Sequence, residues 1–360
     1  MRNTFKAITA CIAALLCAGN TQAATSACTA FGNAPRTVNK LLSQAQNALV
    51  TCKNGVKLGG FNDGDGLARN ACFYDNGAAT PAHPLPLVVY LQASMARIDA
   101  QIAKTGLIDA RITTNLTDDA TSEGFLLLAP LPRFTNHYYP LPNGYSLGFD
   151  VWYRQFAREP QTVAGIRYAP NVDFATIDHF IDEQIASGRV DLRRIYLVGY
   201  SNGASTAVLY AQNRPEIAAA AIYSAPDPYG FLNDPCQQQP VADATSVISE
   251  ISVPRTDAPI FHVHNDCDVY GSCPNAVHFQ QQIDDSGTAQ MTTEMIDKKQ
   301  NLVNTCDAIC GIDPNGSPYN LKSRLTGTAN HNRWPDAWNA RLLDFLRMHP
   351  LPPPPPAPVQ

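Results

Sequence analysis

Short apolar and β-branched runs recur along the chain, and they constrain its fold more than any other feature of the sequence. Each run is continuous and is bounded by polar or turn-forming residues, which is typical of a strand buried on both faces of a sheet. The runs are Pro86–Leu91, Gly124–Pro130, Arg194–Gly199, Ile217–Tyr223 and Pro259–His264. We therefore expect a central sheet whose strands are largely buried.

Helical patterns separate several of these strands. Residues Phe174–Ser187 place apolar side chains at helical spacing, and the small-residue segment Ala204–Asn213 follows the third run. An amphipathic stretch lies near the C-terminus, over Ala337–Met348. Parallel strands need crossover connections, and these are right-handed. The alternation predicts an α/β fold: a mostly parallel sheet with helices on both faces.

Composition narrows the range of classes. The chain has 360 residues, of which 45% are hydrophobic and 16% charged, so it can bury a sizeable core and is not disordered. The net charge is −5, and no run of basic residues interrupts the sequence. We therefore expect no nucleic-acid partner. No run of the chain reaches 18 apolar residues, so we also expect no membrane association. We further expect a monomer.

The N-terminal segment has the pattern of an export signal. Arg2 and Lys6 give it positive charge, and residues 7–18 form an apolar run that is too short to span a bilayer. Small residues follow and end at Ala23, so we expect a signal peptide over residues 1–23 and a secreted protein, extracellular or periplasmic.

The cysteine count fits an exported chain. Cleavage after residue 23 would leave eight of the ten cysteines, and an even number predicts four disulfides. Their connectivity stays open, although Cys267 and Cys273, and Cys306 and Cys310, are close enough to pair locally. Metal binding is the alternative to disulfides, but no Cys-x-x-Cys pair is present, so we expect no metal site. We also expect no cofactor.

One acidic loop has two interpretations. Residues 62–66 read Asn-Asp-Gly-Asp-Gly, which could suggest a calcium site. The loop lacks the glycine at position six and the distal glutamate that an EF-hand requires. A tight turn is the favoured interpretation.

The most specific motif is Gly199-Tyr200-Ser201-Asn202-Gly203. It lies directly after a buried strand and directly before a helix, which is the context of a nucleophile elbow. The tight turn favours glycine at both flanks and lifts the serine hydroxyl out of the sheet. We therefore predict that Ser201 is a nucleophile.

A serine nucleophile needs a base and an acid, and in such a fold these follow it along the chain. The acid should lie just beyond the strand that ends at His264, where Asp268 is preferred and Asp266 is the alternative. The base is predicted to be His331, in the loop before the C-terminal helix. His278 and His349 are less suitable, since the first lies close to the acid and the second adjoins the proline tail.

Two further groups complete the predicted site. The backbone N–H groups of Asn202 and Ser94 are candidates for the oxyanion hole, because one follows the nucleophile and the other follows the strand ending at Leu91. Aromatic residues are candidates for a substrate-binding surface: Tyr200, Trp152 and Trp334. For the aromatic segment 134–153, which contains Trp152, ordinary packing of a long loop is the alternative interpretation.

Several segments resemble secreted α/β-hydrolase esterases of the polyhydroxybutyrate depolymerase-like and feruloyl esterase-like family. The elbow over residues 190–204 is similar, His264-Asn-Asp-Cys-Asp268 resembles its His-Gly-x-x-Asp, and Asn330-His331…Trp334-Pro335 resembles its Gly-His-x-Trp-Pro. Residues 86–94 and the aromatic segment 149–153 are also similar.

The resemblance covers roughly residues 80–347 and implies the α/β-hydrolase fold, to which the cysteine count adds stabilisation by disulfides. It implies one catalytic domain, over residues 24–349. The almost all-proline composition of Pro350–Pro358 predicts an extended, proline-rich tail over residues 350–360. It also implies a serine esterase acting on an ester substrate, with polymers among the candidates. The chain departs from the pattern at Gln92-Ala93, where the family has His-Gly, and by one extra residue before Trp334.

Two alternatives stay open at this point. A serine peptidase of the prolyl oligopeptidase type has the same elbow and the same order of residues, but such enzymes normally carry a large propeller domain. A catalytically inactive hydrolase fold could also act as a binding protein.

Overall fold

A computed structural model defines the fold of the chain, and it describes twelve stretches of residues. These are 40–94, 98–122, 124–133, 135–141, 144–152, 158–163, 166–168, 170–225, 258–265, 283, 291–296 and 330–353. The predicted signal peptide and most of the proline-rich tail lie outside them. Within the described stretches, no helix is both long and apolar enough to cross a bilayer.

The described strands and helices have the following bounds. The strands are β1 (Val56–Asn62), β2 (Ala68–Tyr74), β3 (Leu85–Leu91), β4 (Leu126–Pro130), β5 (Thr135–Leu141), β6 (Gly144–Asp150), β7 (Gln161–Val163), β8 (Ile166–Tyr168), β9 (Val190–Tyr200), β10 (Ala219–Tyr223), β11 (Ile260–Asn265) and β12 (Met291–Ile296). The helices are α1 (Lys40–Leu49), α2 (Ile98–Ile102), α3 (Leu107–Thr113), α4 (Val172–Ala186), α5 (Asn202–Ala211) and α6 (Asn339–Met348), with a 3₁₀ turn at Asp336–Trp338 before α6.

Eight strands form one sheet, in the order β1-β2-β4-β3-β9-β10-β11-β12. The first pairs, β1 with β2 and β2 with β4, are antiparallel. From β4 onward every neighbour is parallel. This order, with helices covering a mostly parallel sheet, is the α/β-hydrolase fold. The fold class predicted from the sequence is confirmed.

The sheet separates two apolar layers because successive side chains of a strand point to opposite faces. In β3, Leu87 and Val89 pack into one layer with α4 and α5, and Val88 and Tyr90 pack into the other. The second layer also includes the apolar face of α6. Every residue of β3 is buried, which explains why its sequence is continuously apolar instead of alternating.

The turn predicted at residues 62–66 connects β1 to β2, and it is built on Asp63. The Asp63 carboxylate accepts N–H groups of Asp65 and Leu67, each at 3.0 Å. Two fully buried arginines, Arg69 and Arg133, lie 3.0 Å from the same carboxylate. Burial acts to raise the pKa of Asp63, but the two arginines and the Leu67 N–H outweigh it and lower that pKa. The carboxylate is therefore held in its charged form by this cluster.

A disulfide between Cys52 and Cys72 ties the segment after α1 to β2. Both cysteines are buried. This bond accounts for one of the four disulfides expected from the cysteine count. The local pairs proposed for Cys267 with Cys273 and for Cys306 with Cys310 lie outside the described residues.

Some elements have no counterpart in the sequence prediction. The antiparallel pair β1–β2, the hairpin β5–β6 and the edge strand β12 were not expected. The β1 strand is mostly exposed, so it lacks the continuous apolar run that identifies the central strands. The predicted helix Ala337–Met348 begins two residues later as an α-helix, because a 3₁₀ turn occupies Asp336–Trp338.

Candidate active site

Ser201 occupies a strained turn between β9 and α5. Its backbone has φ 54° and ψ −121°, a conformation that residues other than glycine rarely adopt. A Cβ on Gly199 would lie 2.6 Å from the Cα of Ala204, and a Cβ on Gly203 would lie 2.1 Å from the Leu91 carbonyl oxygen. Both glycines are therefore required by close backbone contact, as the elbow motif predicted.

His331 lies directly against the serine. Its Nε2 atom is 2.7 Å from the Ser201 Oγ atom, although the two residues are 130 positions apart. Ser201 is 8% exposed and His331 is 6% exposed, so the pair is shielded from bulk water yet accessible at its edge. The structure brings together the predicted nucleophile and the predicted base. Nε2 is placed to accept the hydroxyl proton.

Two tyrosine hydroxyls form hydrogen bonds to the backbone at His331. The Tyr200 hydroxyl donates to the His331 carbonyl oxygen. The Tyr223 hydroxyl donates to the carbonyl oxygen of Asn330, at 3.1 Å. The two tyrosines end the neighbouring strands β9 and β10 and are paired in register. The ends of two central strands thus position the histidine.

Trp334 completes this support. Its ring packs edge-on against three tyrosines, with centroids 5.8 to 6.4 Å apart: Tyr90, Tyr200 and Tyr223. Its indole N–H donates to Asn339 Oδ1 at 2.6 Å, near the start of α6. Trp334 is 5% exposed and Tyr200 is 7% exposed. Most of each ring therefore contacts protein, and a substrate contact of either residue stays a prediction.

The structure corrects the third aromatic residue. Trp152 was predicted to line a substrate-binding surface, but it is fully buried in the core. Its indole N–H donates to the Gln92 carbonyl oxygen at 3.0 Å, so both its ring and its polar atom are satisfied inside the protein. An aromatic residue in a Gly- and Pro-rich loop can be exposed or buried, and sequence alone does not distinguish the two.

The two candidate oxyanion donors lie on adjoining segments. Asn202 is the first residue of α5, and Ser94 follows β3. Between β3 and Ser94, the Ala93 N–H donates to Gln101 Oε1 at 2.8 Å, and Gln101 Nε2 donates back to the Ala93 carbonyl at 3.3 Å. The Ala93 amide is thus already paired, which leaves the N–H of Ser94 as the candidate. The role of Ser94 and Asn202 as donors stays a prediction.

The predicted acid, Asp268, lies outside the described residues, as does the alternative Asp266. The strand before it is described: β11 ends at Asn265, next to β10 in the sheet. Within β11, burial and the neighbouring His264 lower the pKa of His262 well below its usual value. His262 Nε2 accepts the backbone N–H of Ala225 at 3.2 Å, which only a neutral imidazole can do.

A separate cavity of about 430 Å³ lies away from this site. It is lined by residues at the beginnings of β3 and β9, Leu85 and Asp191 among them. Ser201 follows the other end of β9, which is 11 residues long. In open α/β sheets, ligands bind at the carboxyl ends of the strands, which is the end at which Ser201 lies. Among the described residues, no cluster of His, Cys, Asp or Glu could hold a metal ion.

No protein-family model matches the chain, and no curated protein matches it. Three similar solved structures are a thermostable esterase (15% identity, TM-score 0.43), the S-formylglutathione hydrolase of Agrobacterium tumefaciens (13%, 0.44) and the dipeptidyl peptidase 4 of Porphyromonas gingivalis (13%, 0.42). The matches cover 83%, 82% and 82% of this chain and 64%, 98% and 36% of those chains, so it spans less than two thirds of the esterase and the peptidase. The strand order and the elbow define the class: an α/β-hydrolase fold.

Sequence reasoning missed two residues that shape the site. Gln101 carried no signal, because an amide in a short helix is common on any surface. Tyr223 lies at the end of the predicted strand Ile217–Tyr223, where an aromatic residue reads as ordinary core. A polar-tipped aromatic at the carboxyl end of a strand next to the elbow strand is the signal that could have found it.

Proposed function

We propose that the chain is a secreted serine hydrolase that cleaves carboxylic esters. The observation that carries the proposal is the 2.7 Å contact between His331 Nε2 and Ser201 Oγ, at an elbow of strained backbone. A serine in this conformation with a base at hydrogen-bonding distance is the arrangement that nucleophilic catalysis requires.

The chemistry follows from these positions. His331 takes the hydroxyl proton while Ser201 Oγ attacks the ester carbonyl, and the resulting oxyanion is held by the N–H groups of Asn202 and Ser94. His331 then gives the proton to the departing alcohol, which leaves an acyl-enzyme. Water, activated by the same imidazole, releases the acid and restores the serine. Asp268 orients the imidazole and stabilises its protonated form without taking the proton.

The substrate classes proposed are hydroxyalkanoate polyesters or their oligomers and feruloyl-type esters. They are supported by the resemblance of the elbow, acid and histidine segments to polyhydroxybutyrate depolymerase-like and feruloyl esterase-like proteins. A screen across hydroxyalkanoate oligomers, feruloylated sugars and short acyl esters distinguishes them. Peptide substrates belong in the same screen, because a peptidase of the prolyl oligopeptidase type uses the same residues.

The decisive experiment is turnover of p-nitrophenyl esters combined with labelling by a fluorophosphonate. Wild-type protein is expected to be active and labelled, and Ser201→Ala to be neither. Ser187→Ala makes the same change at the end of α4, away from the site, and is expected to behave as wild type. Full activity in Ser201→Ala refutes the proposal. Wild-type protein that is inert to esters, peptides and the probe indicates a binding protein instead.

The acid can be assigned by a matched pair of variants. Asp268→Asn is expected to lower kcat about 10⁴-fold, because the imidazole is then held in the wrong tautomer. Asp266→Asn, two residues earlier, is expected to leave kcat near that of wild type. The reverse result assigns the role to Asp266.

A further inference from the structure

Trp152 lies between the two segments that carry the candidate oxyanion donors. It belongs to neither segment, and it is 50 residues from Asn202 and 60 from Gln92 along the chain. Its side chain is fully buried, so it cannot serve as a surface for substrate. Its hydrogen bonds point to a different role.

The first half of the connection is the Asn202 side chain. Asn202 Oδ1 accepts the backbone N–H of Trp152 at 2.9 Å and that of Val151 at 3.1 Å. Asn202 is the residue directly after the nucleophile, so its own backbone N–H is the elbow donor. The side chain and the catalytic N–H of one residue are therefore tied to the backbone at Trp152.

The second half is the Trp152 indole. Its N–H donates to the Gln92 carbonyl oxygen at 3.0 Å, two residues before Ser94. The same carbonyl lies against the elbow, since a Cβ on Gly203 would be 2.4 Å from it. A rigid double ring thus joins the loop after β3 to the start of α5.

The residue between Gln92 and Ser94 is held as well. Ala93 is paired at both its N–H and its carbonyl by Gln101. With Gln92 held by Trp152 and Ala93 held by Gln101, the backbone leading to Ser94 has little freedom. The position of the Ser94 N–H follows from these contacts.

We propose that Trp152 is a positioning residue of the oxyanion hole: its backbone, bound by the Asn202 side chain, and its indole, bound to Gln92, set the spacing between the N–H groups of Asn202 and Ser94. This inference rests on the proposed function. An oxyanion hole needs both donors at 2.7–3.1 Å from one oxygen atom, and removal of a single donor typically lowers kcat by about 10²–10³-fold. Loss of the bridge misplaces a donor without removing it, so the expected reduction in kcat is smaller.

The test is Trp152→Phe, which keeps a large aromatic ring and removes the indole N–H. We expect kcat to fall about tenfold to a hundredfold with KM within about twofold, because the oxyanion exists only in the transition state. Phenylboronic acid, whose adduct with Ser201 is tetrahedral, is expected to bind more weakly by a similar factor. Trp338→Phe is the control: its indole N–H is buried without a hydrogen-bond partner in the described structure, and its loss is expected to change none of these values.

A double-variant cycle tests the bridge as a unit. Asn202→Ala removes the acceptor of the Trp152 N–H. If both residues act through one bridge, the double variant Asn202→Ala/Trp152→Phe is expected to have a kcat only slightly below that of the less active single variant. If the two reductions in kcat instead multiply, the residues do not act through one bridge.

The outcomes separate this inference from the proposed function. A wild type with no Ser201-dependent turnover overturns both. An active wild type with Trp152→Phe matching Trp338→Phe in kcat and in boronate affinity overturns the inference alone. It is also overturned if Trp152→Phe lowers the unfolding temperature and weakens substrate and boronate binding equally, since that pattern indicates general loss of structure.

Discussion

The hydroxyls of Tyr200 and Tyr223 are expected to determine how well His331 is oriented. The perturbation is the double variant Tyr200→Phe/Tyr223→Phe, which keeps both rings and removes both hydrogen bonds to the 330–331 backbone. The rings stay packed against Trp334, so the fold is expected to persist. Only the polar attachment of the histidine backbone is lost.

The magnitude follows from the number of bonds. A buried hydrogen bond contributes about 1 kcal/mol, with a range of about 0.5–1.5 kcal/mol. Each single variant is therefore expected to cost about 1 kcal/mol in the free energy of unfolding, and the double variant about 2 kcal/mol. If the whole loss falls on the orientation of the imidazole, kcat drops about fivefold in each single variant and about thirtyfold in the double variant, since about 1.4 kcal/mol is a factor of ten.

The assay is steady-state ester hydrolysis together with urea unfolding. Tyr196→Phe is the matched control, because Tyr196 lies on the same face of β9 and its buried hydroxyl has no hydrogen-bond partner in the described structure. A double variant with the kcat of the control shows that the tyrosines do not orient the histidine, and the reasoning is then wrong.

Four further predictions concern stability and the elbow. Replacing Cys52 and Cys72 by serine, which opens a loop with a separation of 20 residues, is expected to cost about 3 kcal/mol in urea unfolding. Gly203→Ala is expected to abolish fluorophosphonate labelling, because its Cβ would lie 2.1 Å from a carbonyl oxygen. Asp178 lies in α4 and accepts hydrogen bonds from Arg158, Arg214 and Tyr210. Burial acts to raise its pKa, but these hydrogen bonds lower it below the ordinary value of 3.8, so its stabilising effect is present above pH 3.8 and is lost as the pH falls further. In urea unfolding, Asp178→Asn is expected to be less stable than wild type at pH 7 and to approach it at acidic pH. Because the pKa of His262 is lowered, the unfolded chain binds a proton below pH 6.5 and the native chain does not. The free energy of unfolding of the wild type is therefore expected to decrease by up to about 1.4 kcal/mol for each pH unit below 6.5. His262→Gln is expected to remove this slope when unfolding is measured as a function of pH.

The central strands were predictable because burial on both faces imposes a local pattern. A strand such as β3 must be apolar at every position, and its sequence shows this without reference to any other segment. The exposed strand β1 has no such requirement, so its pairing with β2 could not be anticipated. The same reasoning explains why the sequence predicted the turn at residues 62–66 but not the two strands that it connects.

The buried charge cluster shows a second limit. Arg69 and Asp173 are 104 residues apart and form a fully buried ion pair at 2.9 Å. In the sequence, each looks like an ordinary surface residue, because charged side chains are mostly exposed. Only the folded chain shows that each charge has a partner.

The elbow and the fold class follow from local features of the sequence. The conformation of Ser201 depends on glycines within two positions of it, and the strand before it and the helix after it have local patterns of their own. How the site is held depends on the packing of the whole chain. The contact of His331 with Ser201 spans 130 residues, the hydrogen bond from the Trp152 indole to Gln92 spans 60, and that from Tyr200 to the His331 backbone spans 131. Contacts over such separations leave no periodic trace in a sequence, because their geometry depends on how the whole sheet and its loops pack.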